Sequence, residues 1–89
     1  MNVKRPKLSR EEIGKTLANF ELFLNQKIEE KGDGIFVSTH EIRGALEEEV
    51  NEHLDAVHND NVEEQMNELF DIAVCAIWGV ASLRKLRDD

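Results

Sequence analysis

Ile13, Leu17, Phe20, Leu24 and Ile28 recur at steps of three and four, the spacing that draws one apolar stripe down an α-helix. The pattern predicts a first helix from about Arg10 to Glu30. Lys31-Gly32-Asp33-Gly34 ends it, with Gly32 able to take a left-handed cap conformation. Ile35-Phe36-Val37 then forms a short apolar connector, expected to be pinned against the bundle. A second stripe, Ile42, Ala45, Leu46, Val50, Leu54 and Val57, predicts a helix from about His40 to His58. The third helix is expected from about Val62 to Leu86 and is apolar on nearly every side after Leu69. Each helix opens with the same signal, a capping side chain three residues before a glutamate: Ser9 and Glu12, Ser38 and Glu41, Asn61 and Glu64. Asn59-Asp60-Asn61 supplies turn chemistry between the second and third.

Four carboxylates break this pattern. On the second helix Glu49 projects inside the apolar arc and Glu52 lies at its edge. On the third, Asp71 stands amid the apolar run, with Glu68 one turn below it. Glu52 and Glu68 are each eight residues from Asp60, and Glu49 and Asp71 are each eleven. In an antiparallel hairpin each pair is level, and the two levels are ~4.5 Å apart. Unpaired buried charge is costly, yet the stretch from Gly44 to Leu83 holds ten Asp and Glu and no Lys or Arg. Carboxylates without His or Cys at ligand spacing favour a hard cation, Mg²⁺ or Mn²⁺, over Zn²⁺. Mg²⁺ keeps waters and binds phosphate oxygens, so open positions at such a site suggest a phosphate-bearing substrate. The plainer reading is two acidic i, i+3 pairs on solvated helix faces.

Composition narrows the setting. A chain of 89 residues is near the size at which a lone core is marginal. The third helix carries more apolar surface than two other helices can cover, which implies a second copy. One cysteine permits no intramolecular disulfide, which suits a reducing cytoplasm. The first residues lack the apolar stretch of a signal peptide, and no apolar run is long enough to span a bilayer. Net charge −8 argues against nucleic-acid binding by the body of the chain. Lys4, Arg5, Lys7 and Arg10 stand without an acid among the first ten residues, so residues 1–9 are expected to form a flexible basic arm.

Glu49-Val50-Asn51-Glu52, fifteen intervening residues, then Glu68-Leu69-Phe70-Asp71 resembles the signature of the MazG-like all-α nucleoside triphosphate pyrophosphatases: Glu-x-x-Glu, a spacer, Glu-x-x-Asp. The approach Ser38-Thr39-His40-Glu41-Ile42 and the tail Ile77-Trp78-Gly79-Val80-Ala81-Ser82 are also similar to small members of that family. The resemblance covers residues 10–86, within one domain expected over 10–87. It implies Mg²⁺-dependent cleavage between the α and β phosphates, giving a monophosphate and pyrophosphate, for housecleaning of the nucleotide pool. Glu49, Glu52, Glu68 and Asp71 would be the metal ligands and catalytic residues. Dimers or dimers of dimers, with partner helices completing the pocket, are implied as well. Phosphate-binding and base-contacting residues do not transfer from the resemblance; Lys27, Lys31 and Arg43 are the candidates for the first role, and Phe36 and Trp78 for the second.

The expectation is therefore an all-α helical bundle whose antiparallel hairpin carries an acidic tetrad and is completed by homo-oligomerisation. The rival is a non-catalytic acidic helical dimer acting as a binding or regulatory module. His40, His53 and His58 lack i, i+4 spacing, so structural or surface roles are expected for them, and Cys75, with no His or basic neighbour in sequence, is expected to be a small packed residue of the third helix. Gly32-Asp33-Gly34 lacks the lysine of a phosphate loop, and Asn59-Asp60-Asn61 lacks the glycine of an EF-hand loop.

Overall fold

The computed structural model describes residues 4–89. Residues 1–3 of the expected basic arm lie outside the described residues; residues 4–9 are exposed and carry no regular secondary structure. The described chain is helical, without a strand: α1 spans Arg10–Lys31, α2 Thr39–His58 and α3 Val62–Asp88. It divides between Gly32 and Asp33 into two compact units, the first holding α1 and the second holding α2 and α3. Among the described residues, no helix is long and apolar enough to cross a membrane.

All three predicted N-caps form. The side chains of Ser9, Ser38 and Asn61 accept from the backbone N–H of Glu12, Glu41 and Glu64 at 3.0, 3.1 and 3.0 Å. Each satisfies a donor that the first helical turn cannot pair internally. Glu41 reaches one residue beyond its cap, where its Oε1 accepts from the Val37 N–H at 3.1 Å. At the other end of α1, Gly32 donates its N–H to the Ile28 carbonyl at 2.7 Å. Its φ of 84° is positive as expected, but its ψ of −174° makes it extended rather than left-handed helical. That is a glycine conformation, and it ends α1.

The α2–α3 unit is a hairpin reversed at Asn59-Asp60-Asn61. Asp60 takes φ 51°, a left-handed value that Asp tolerates better than most residues. Asn59, Asp60 and Asn61 donate back to Asp55, Val57 and Ala56 at 3.1, 3.1 and 3.2 Å, closing the end of α2. The two helices meet through small side chains. Ala56 on α2 and Cys75, Gly79 and Ser82 on α3 are the buried residues. A Cβ placed on Gly79 would lie 3.1 Å from the Ile42 Cγ2 methyl, so α2 rests almost directly on the α3 backbone. Several larger apolar residues of α3 point elsewhere: Leu69, Ile77 and Val80 are each 51 % exposed.

The connector before α2 is fixed to α3 by two hydrogen bonds from opposite directions. The Trp78 indole Nε1–H donates to the Gly34 carbonyl at 2.7 Å, and the Phe36 N–H donates to Ser82 Oγ at 3.0 Å. Ile35 and Phe36 are half-buried, whereas Val37 is exposed, so pinning of the connector is polar as well as apolar.

Two substitutions test this contact. Gly79→Val drives a branched side chain into Ile42 and should cost about 1–3 kcal/mol. Ser82→Ala leaves the Phe36 N–H without its acceptor and should cost about 1–3 kcal/mol. Urea unfolding followed by circular dichroism should show both midpoints lowered; an unchanged midpoint for Gly79→Val would contradict the close crossing.

Candidate metal centre

Helical phase explains which carboxylates meet. On α3, Glu68, Asp71 and Cys75 follow one another at steps of three and four, so they share the face that Cys75 buries against α2. On α2, Glu49 lies seven residues before the buried Ala56, two turns along the same seam. The result is a triad: Glu49, Glu68 and Asp71 each offer a carboxylate oxygen, and the three lie within 4.8 Å of one another. All three residues are half-buried.

Glu52 stands outside that tight group. Three residues on from Glu49, it is turned by about 60° away from the seam and is exposed. Its carboxylate nevertheless acts on both Glu49 and Glu68, through charge and through a hydrogen bond to each. The tetrad read as two level pairs is thus, in space, three convergent carboxylates with a fourth at their rim.

The electrostatics follow from this crowding. Burial, then the charges of Glu52 and Asp71, the hydrogen bond with Glu52 and the charge of Glu68 push the Glu49 carboxyl up from 4.5 to about 7. Glu68 is raised by burial first, then by Asp71 and Glu52, with Glu64 adding to the repulsion. Cys75 is also held up as a thiol, by burial and by the charge of Glu49. One oxygen of Glu49 and one of Glu68 are buried without a hydrogen-bond partner. Buried acceptors left unsatisfied are costly, and a cation would satisfy both. The donor set is all oxygen, which fits a hard divalent ion rather than Zn²⁺.

Arg43 is turned away from this cluster. It precedes Glu49 by six residues, about 120° round α2, and its Nε binds Glu47 at 2.8 Å on the outer face of the helix. Lys27 and Lys31 belong to α1 in the other compact unit. There Lys27 pairs with Glu30 at 3.8 Å and lies 5.1 Å from the centre of the Phe23 ring. Of the histidines, His40 and His58 are exposed and His53 is half-buried; none joins the carboxylate group. The close seating of Gly79 on Ile42 and the fixed indole of Trp78 went unread in the sequence. The run of small residues Cys75, Gly79 and Ser82 in step with Asp71 was their only signal.

The raised carboxyls oppose folding as pH rises. A group at 4.5 when unfolded and about 7 when folded binds its proton more tightly in the native state. Its cost is absent below 4.5, grows between 4.5 and 7, and is complete above 7. Metal-free protein should therefore lose melting temperature from pH 5 to 7.5, and Glu49→Gln should flatten that fall. Differential scanning calorimetry across this range in EDTA would measure both; a melting temperature that rises with pH would contradict the crowding.

Comparison with known proteins adds no relative to this geometry: no protein-family model matches the chain, and neither a curated protein nor a solved structure matches it.

Proposed function

We propose that this chain is a metal-dependent nucleoside triphosphate pyrophosphohydrolase, converting a (d)NTP and water to the monophosphate and pyrophosphate. The observation that carries the reading is the convergence of Glu49, Glu68 and Asp71 within 4.8 Å, with two of their oxygens buried and unsatisfied. An assembly that repels itself and strands buried acceptors is unfavourable as a purely structural device. It becomes favourable when a cation is part of the site. The MazG-like signature carried by the same four residues supplies the reaction class.

Glu49, Glu68 and Asp71 would hold Mg²⁺ or Mn²⁺, with Glu52 as the fourth, outer ligand. When bound, the ion supplies charge neutralisation for the phosphates and acidifies a water. The residues of the chain then divide the remaining work. Glu49 and Glu68 are seated in the seam, where neighbouring helix atoms exclude water and fix their carboxylates. Glu52, exposed at the rim, would accept the proton released by the attacking water as a bond forms from its oxygen to the α-phosphorus and the bond to pyrophosphate breaks. A nucleotide-pool role belongs in the cytoplasm, in keeping with the single buried thiol.

Self-association is part of the proposal. Leu69, Ile77 and Val80 leave apolar surface exposed on α3, more than scattered single residues would. A dimer, or a dimer of dimers, would cover it. The non-catalytic acidic dimer shares this feature, so assembly alone does not separate the two readings.

Activity does. Purified protein with Mg²⁺ and a panel of natural and modified dNTPs should release pyrophosphate, and EDTA should stop it. Asp71→Asn and Glu49→Gln should each lower turnover by a factor on the order of 10² or more, while metal-free stability stays equal or rises. Mg²⁺ at a hundredfold excess over Kd should stabilise the wild type by about 2.7 kcal/mol and these variants by less. Near-normal turnover in either variant would leave the carboxylates structural and the enzymatic reading without support. Equilibrium sedimentation at micromolar concentration should show at least a dimer; a folded monomer there would remove self-association from the proposal.

A further inference from the structure

We propose that Trp78 is the wall on which the nucleotide base stacks, an inference that rests on the pyrophosphohydrolase reading and extends it to the nucleoside half of the substrate. Asp71 and Trp78 are seven residues apart on α3. Two turns place them ~10.5 Å apart along the helix and within about 20° of the same direction. An α-phosphate held at the triad is thus separated from Trp78 by a span that a ribose and base can bridge.

The seam itself offers no such path. Directly beyond the triad Cys75 is 6 % exposed, and at Gly79 the Ile42 methyl would stand only 3.1 Å from an added Cβ. A nucleoside leaving the carboxylates must run along a flank of the hairpin rather than between its helices. By helical phase, one flank continues from Asp71 through Val74 to Trp78, with Ala45 opposite on α2. The other passes Ile72 on α3 and Leu46 and Val50 on α2, where Arg43, Glu47 and Asn51 line a shallow hollow with these two. Of these residues Trp78 alone carries a π-face.

That face is held in place. The indole Nε1–H is committed to the Gly34 carbonyl at 2.7 Å, and the segment carrying that carbonyl is tied to Ser82 through the Phe36 N–H at 3.0 Å. A ring fixed before binding loses little rotamer freedom when a base stacks on it. The same hydrogen bond removes the only polar atom of the ring from recognition, and Val74 and Ala45 offer none in their side chains. Recognition through Trp78 is therefore of the base's face and not of its edge. Stacking of this kind tolerates any base because each has a π-face, so the site should prefer nucleotides to bare polyphosphate and discriminate weakly among bases.

Trp78 is the sole tryptophan of a chain without tyrosine, so its fluorescence reports this contact without labelling. In full-length protein with Mg²⁺, an α,β-non-hydrolysable dATP analogue should quench Trp78 emission to saturation. Inorganic tripolyphosphate should bind by calorimetry yet leave the emission nearly unchanged. Trp78→Leu should weaken binding of the analogue on the order of 10–100-fold while tripolyphosphate affinity stays within a factor of about two; Trp78→Phe should retain most of the nucleotide affinity. Should Trp78→Leu fail to fold, the wild-type titrations and Trp78→Phe decide the matter. An analogue that binds without altering the emission, or that binds Trp78→Leu as tightly as wild type, overturns the base wall and leaves the metal centre standing. Absence of metal-dependent binding by both analogue and tripolyphosphate overturns the pyrophosphohydrolase reading, and the base wall with it.

Discussion

Two helices can bring acidic side chains together only as closely as their backbones approach, and in this hairpin that approach is set by what α3 lacks. Along its inner face α3 presents Cys75, Gly79 and Ser82, all buried, and Ile42 lies against Gly79, 3.1 Å from where a Cβ would stand. Larger residues there would hold the helices apart by about the thickness of a side chain, since interaxial distance follows the residues at the contact. Glu49 could not then share a 4.8 Å neighbourhood with Glu68 and Asp71. The small-residue seam and the carboxylate cluster are consecutive stretches of one line along α3.

The seam also determines the electrostatics. Because α2 lies close, Glu49 loses part of its hydration, and burial becomes the largest reason its proton is held to about 7. The neighbouring carboxylates contribute after it. A wider hairpin would hydrate Glu49 and Glu68 and return them toward ordinary acidity. In this arrangement dense packing, usually a source of stability, produces a locally unfavourable charge state. For the proposed enzyme, that makes the folded apo protein a poised receptor for positive charge.

Much of this was legible from the sequence. The apolar periodicity placed each helix within one or two residues, and the three capping pairs located their starts, because both signals are local. The inward phase of Glu49 and the edge position of Glu52 were likewise readable from 100° steps. Three things were not. That Glu52 stands outside the triad depends on the crossing of α2 over α3, which no single-helix pattern encodes. The left-handed conformation anticipated at Gly32 was half correct, because the sign of φ follows from glycine but ψ follows from where the chain goes next. The hydrogen bonds from Trp78 and to Ser82 join residues 44 and 46 positions apart, beyond the reach of periodicity.

Those two long-range hydrogen bonds have a mechanical consequence. The hairpin is fastened at one end by the Asn59-Asp60-Asn61 reversal and at the other by the bonds of Trp78 and Ser82 to the connector that leads into α2. The carboxylates lie between these fastenings, on a beam clamped at both ends rather than on tongs free to open. Widening the gap between Glu49 and Asp71 would bend both helices, whereas a hairpin held by its turn alone would simply splay. For the proposed metal site, stiffness takes over a task otherwise left to ligand count. Ca²⁺ needs oxygens at 2.3–2.6 Å and Mg²⁺ at 2.0–2.1 Å, and a clamped beam penalises the larger ion for every increment by which it pushes the helices apart.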